Sequence, residues 1–112
     1  MRVYLPTTLA GLARLRDEGQ LPASTERYVA DGEDEQAEYA ALMAAAFDAA
    51  ALLEGPGRRV VVVADVADPD GSVPLREVVA VHADPAERPV GADPDDDLAW
   101  YATQEIDALL SG

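Results

Sequence analysis

His82 is the only histidine among 112 residues, so it is the one side chain whose ordinary titration suits general acid–base work near neutral pH. Such work needs a carboxylate to orient the imidazole, and Asp65, Asp84 and Glu105 are the partners to weigh. A second set, Asp68, Asp70 and Glu77, falls at positions three, five and twelve of a calcium-type loop counted from Val66. Val66 stands where that loop requires a carboxylate, and Pro69-Asp70-Gly71 is a common turn sequence, so the turn is the reading taken. A third set, Trp100, Tyr101, Gln104 and Glu105, brings aromatic and polar groups together and could line a ligand pocket. Closing one edge of a small core accounts for it as well, and is preferred. The acidic run Asp93–Asp97 reads as a solvated loop.

The rest of the chemistry is narrowed by what is missing. No Walker loop, dinucleotide fingerprint, His-Glu-x-x-His or Gly-x-Ser-x-Gly pattern occurs, and no cofactor is called for. The absence of cysteine removes disulfides, thiol nucleophiles and zinc–thiolate sites. A formal charge of −14 argues against direct nucleic-acid binding, which needs a basic footprint. It leaves an acidic soluble surface, a basic protein partner, or nucleic-acid mimicry. No apolar run reaches the roughly 18–20 residues of a membrane span, and the N-terminus has no signal-peptide pattern, so a cytoplasmic protein is expected.

The elements that must position these residues centre on Arg58–Val66. Four successive valines, Val60–Val63, cannot alternate between core and solvent, so both faces of a strand here must be covered. The following strand, Val78–Ala83, lies only about eleven residues on with no helix between, which predicts an antiparallel hairpin. In that hairpin His82 sits at the open end, away from Asp65, and Asp84 lies beside Arg58 and Arg59. A cross-strand Arg–Asp pair is expected there, worth under ~1 kcal/mol if exposed.

Arg2–Leu5 reads as a strand ended by Pro6, and as parallel to the central strand because helices intervene. A helix follows from Thr8 to about Glu18, stopped by Gly19. Gln20–Gly32 favours a short helical segment, with an edge strand at Tyr28-Val29 as the alternative. Glu33–Leu53 is the clearest helix, in which Tyr39, Met43, Phe47 and Ala50, flanked by Leu42, Ala46, Ala49 and Leu53, make one broad apolar face. Residues 84–97 form an acidic loop rich in Pro and Gly. Leu98–Ile106 reads as a last strand with a helical turn after it, and a helix through the whole segment, on the period of Leu98, Tyr101, Glu105 and Leu109, is the alternative.

Several blocks are similar to a family of uncharacterised actinobacterial proteins. They are Arg2-Val3-Tyr4-Leu5-Pro6, Asp34–Leu42, Arg58–Val66, Pro74-Leu75 with Val79–Asp84, and the most specific, Trp100-Tyr101-Ala102-Thr103-Gln104-Glu105-Ile106. The chain is shorter than the longer members around Leu21–Arg27 and Ala86–Asp97, which puts at issue one strand before the main helix. The resemblance implies no activity.

The expected architecture is therefore α+β: a single domain over residues 1–112, with one mixed sheet of about four strands and two main helices on one face. Such helices leave the second face of the valine strand to the C-terminal segment or to a second copy, and a homodimer is the expectation. The favoured function is a small binding or interaction domain without catalysis. A metal-dependent or acid–base enzyme built on His82 is the alternative.

Overall fold

The computed structural model describes residues 1–111. In chain order these form β1 (Arg2–Thr7), α1 (Leu9–Glu18), β2 (Gln20–Leu21), β3 (Tyr28–Val29), α2 (Glu35–Ala51), β4 (Val60–Asp65), β5 (Val73–Pro74), β6 (Val78–Ala83), β7 (Ala99–Tyr101) and α3 (Ile106–Ser111). The class is α+β as expected. The main sheet has five strands in the order β3-β1-β4-β6-β7, and β2 pairs with β5 in a separate ribbon.

The valine strand β4 lies in the middle, and Val60 to Val63 are all buried. Val60 and Val62 face a cluster that includes Leu12 and Leu15 of α1 and Ile106 and Leu109 of α3. Val61 and Val63 face Ala41, Ala45 and Ala46 of α2 together with Tyr4 and Ala80. The two main helices thus cover opposite faces, not one face. The chain roofs its own central strand on both sides, which removes the reason for a second copy to do so.

Two further expectations fail for identifiable reasons. Every pairing in the main sheet is antiparallel, including β1 with β4 in the register Arg2↔Asp65 to Thr7↔Val60, so the sheet is not mixed. The intervening helices and loops bring the chain back to the end of the sheet where β1 stopped, so β4 runs back alongside it from Val60 opposite Thr7. Pro6 does not end β1 either. It pairs with Val61, while β3 pairs only with Val3 and Tyr4, so the missing N–H of Pro6 falls where no neighbouring strand needs it.

In the Gln20–Gly32 segment, strands β2 and β3 stand where a helical segment was favoured. Arg27 holds the intervening loop by donating to the carbonyls of Pro69 and Gly71 at 2.9 and 2.8 Å. The α1 helix runs as expected, with Thr8 accepting from the Gly11 amide and Gly19 closing it at φ +81°.

The α2 helix begins at Asp34, whose side chain accepts from the Ala37 amide. Its buried residues are Ala41, Ala45, Ala46 and Ala49, whereas Tyr39 is 50% and Phe47 64% exposed. Of the expected apolar face, Ala46 and Ala49 point inward and Tyr39 and Phe47 outward. A helix lying on a sheet already padded with valine needs small residues at the contact, so the alanine stripe faces in and the aromatics flank it. Among the described residues no helix is long and apolar enough to cross a membrane.

Candidate functional site

The sheet face beneath α2 carries one row of polar side chains in register. Arg59 faces Asp84 at one end of β4, Val61 faces His82, and Asp65 faces Arg2 at the other end. His82 in turn faces Trp100 on β7. Helix α2 lies over β1 and β4 and stops short of β6 and β7, so this part of the face is open. It forms a groove of ≈380 Å³ whose lining includes Arg2, Glu38, Tyr39, Val79, His82 and Trp100.

His82 is half-buried on the groove floor, and its imidazole makes no hydrogen bond with any described residue. Burial holds its imidazole below the ordinary histidine value, which favours the neutral form. Asp65 is four residues from Val61 on β4, about 13 Å along the strand, and is taken by Arg2 at 2.9 Å. The dyad of His82 with Asp65 is therefore ruled out by register. Asp84 is also committed elsewhere, and Glu105 spends its carboxylate on the Ala102 amide at 3.1 Å.

Trp100 is 60% exposed and Val79 41% exposed, and Tyr39 donates its hydroxyl to Asp97 at 2.7 Å across the groove mouth. That bond holds the Tyr39 phenol in its protonated form and raises its pKa. Arg2 bridges Asp65 and Glu38 at the far rim.

The opposite end of the same face is closed. Arg59 and Asp84 are each 2% exposed and pair at 2.8 Å, with the Arg59 amide donating to the same carboxylate at 2.8 Å. Burial alone would raise the Asp84 carboxyl, but hydrogen bonds from the Arg59 side chain and amide, with the charges of Arg59 and Arg88, bring it below the usual carboxylate range. Arg59 also donates to the carbonyls of Pro94 and Asp96, so the acidic loop is strapped across this end. Arg58 donates to the Asp84 carbonyl at 2.7 Å. The expected cross-strand pair exists but is buried, not exposed. A second cavity of ≈360 Å³ lies beside it, between the end of α2 and the loop, and Arg59, Asp84 and Arg88 are its engaged polar lining.

The four C-terminal candidates do not share one pocket. Trp100 points to the groove, while Tyr101 packs against the cluster on the other face. Gln104 is exposed with no side-chain hydrogen bond to a described residue, and Glu105 lies beside Arg58 and Tyr101 in a shallow depression. Strand alternation alone separates Trp100 from its neighbour.

Asp68 accepts from the Asp70 amide at 3.0 Å and shapes the turn, and Glu77 ends a short 3-10 helix before β6. Among the described residues no three His, Asp or Glu side chains are grouped to hold a metal ion.

Sequence reasoning missed Tyr39, Arg2 and Val79 as groove residues. The signal for Tyr39 was present in Ala41, Ala45 and Ala49, which recur every four residues and mark the docking face of α2.

Residues 1–110 match the model of a family described as a family of unknown function, DUF6912, and the chain belongs to that family. No curated protein and no solved structure matches the chain.

Proposed function

Membership of a family with no assigned activity hands no chemistry to this chain, and we propose that it is a non-catalytic binding domain whose open groove takes a cationic segment of a protein partner. The observation that carries this reading is the groove itself. The sole Trp, the sole His and an outward Tyr line one open concavity on the sheet face beneath α2. Aromatic faces attract guanidinium and ammonium groups.

Charge supports the same occupant. The chain carries 22 acids against 8 arginines. Seven of those arginines, at positions 2, 14, 16, 27, 58, 59 and 88, already hold carboxylates or backbone carbonyls within the chain. The unmatched charge available to a partner is therefore acidic, and Glu35 places part of it at the groove, beside Glu38, which Arg2 already pairs. His82 without an orienting carboxylate is poorly equipped as a catalytic base, which favours binding over acid–base catalysis.

Trp100 reports on the groove directly, because no other tryptophan contributes to the fluorescence. Titration with an oligo-arginine peptide should shift or quench its emission, and an oligo-glutamate peptide should leave it unchanged. Equal responses to both, or none to either, would remove the reading.

A further inference from the structure

We propose that the cationic partner binds as an extended strand added to the outer edge of β7, with one arginine side chain laid on Trp100. This rests on the cationic-partner reading above and specifies its backbone geometry.

The direction of the free backbone groups follows from one hydrogen bond. The Asp84 amide donates to the Arg59 carbonyl at 3.1 Å, so these residues face each other as a hydrogen-bonded pair. Alternation along an antiparallel ladder then turns the amide and carbonyl of His82 towards β4, and those of Val81 and Ala83 towards β7. Tyr101 and Ala99 are the partners of Val81 and Ala83. Trp100, between them, turns its N–H and C=O outward. β7 ends the sheet order, so among the described residues no strand lies beyond it.

Trp100 thus offers two backbone hydrogen bonds to a strand arriving antiparallel, which is how extended peptides extend sheet edges. Its indole stands on the groove face opposite His82. The incoming residue paired with Trp100 would place its side chain on that face, with the two Cβ atoms about 5 Å apart. An arginine there can stack its guanidinium on the indole while Glu38 and Glu35 lie within the same groove. Its neighbours in the peptide point to the other face, beside the half-buried Tyr101, where apolar residues fit. The fitting sequence alternates arginine with an apolar residue. A second copy of this chain is the poorer occupant, because pairing two β7 edges would bring together two molecules of charge −14.

The probe is the peptide Arg-Val-Arg-Val-Arg with blocked ends, compared with the same peptide N-methylated at its central arginine and with Glu-Val-Glu-Val-Glu. Trp100 fluorescence gives the affinities, and hydrogen exchange gives the protection of the Trp100 amide. We expect the plain peptide to bind, the N-methylated one to bind at least tenfold more weakly, and the Trp100 amide to slow its exchange only with the plain peptide. Equal affinity of the two arginine peptides, or no change in Trp100 exchange, would overturn edge addition while leaving the cationic groove standing. Binding by neither arginine peptide, or equally by the glutamate one, would overturn both. Protection of the Trp100 amide that rises with protein concentration in the absence of peptide would assign the edge to a second copy and overturn the proposal.

Discussion

One sheet face of this protein ends in two different ways. At the loop end, Arg59 and Asp84 are withdrawn from water and matched by each other and by the carbonyls of Pro94 and Asp96. Two residues earlier on the same strand, His82 sits on an open floor with no hydrogen bond to its imidazole, facing an exposed tryptophan. Both positions carry polar side chains on the same pleat of β6. What separates them is cover. The loop from Pro85 to Leu98 folds back over Asp84 and leaves His82 uncovered, so one polar residue is consumed by structure and the other remains available.

The largest expected effect is at the closed end. Asp84→Ala would leave Arg59 buried without its carboxylate, and a loss of about 3–5 kcal/mol should appear in urea unfolding. A loss below about 1 kcal/mol would mean that the loop end is wet, and the contrast with the groove would disappear.

The cover provided by α2 is tested next. Ala45 is fully buried against the sheet, so Ala45→Leu should cost about 1–3 kcal/mol by overpacking. Phe47→Ala, although it removes a far larger side chain, should change stability by only about 0.5 kcal/mol because Phe47 faces water. The reverse order would place the aromatic stripe inward.

Arg2 and Asp65 make the same cross-strand pair as Arg59 and Asp84, but their side chains are 44% and 49% exposed. Arg2→Ala should therefore cost less than about 1 kcal/mol. Trp100→Ala should be similarly mild for stability, at about 0.5 kcal/mol or less, while abolishing the response to cationic peptide.

Acid titration separates the two ends by pH. His82 has a folded pKa below its ordinary 6.5, so the unfolded chain takes up its proton first and stability falls as pH drops below about 6.5. Asp84 is also depressed in the folded state, so its contribution is complete above its ordinary 3.8 and is lost as pH falls below that. His82→Gln should flatten the upper, smaller leg of a thermal-melt series and leave the lower one in place.

Much of this arrangement was legible in the sequence. The valine run announced a doubly covered strand, the short connection announced the β4–β6 hairpin, and that hairpin put Asp84 beside Arg59 and kept Asp65 from His82. The groove was not legible, because it depends on where α2 comes to rest. Tyr39, Met43 and Phe47 carry the helical period as well as the alanines do, and periodicity alone does not say which stripe lies against the sheet. The sense of β1 was also hidden, since loops of this length can return a chain to either end of a sheet. Trp100 and Tyr101 looked like one cluster only because adjacency in sequence conceals the alternation of a strand.

The most direct measurement is an amide-shift map of the labelled protein during titration with the arginine–valine peptide. We predict shifts concentrated at Tyr39, Val79, His82 and Ala99–Tyr101, with Arg59, Asp84 and the strapped loop unmoved. Shifts centred on Arg59, Arg88 and residues 85–97, with the groove silent, would contradict the assignment of the open end as the binding surface.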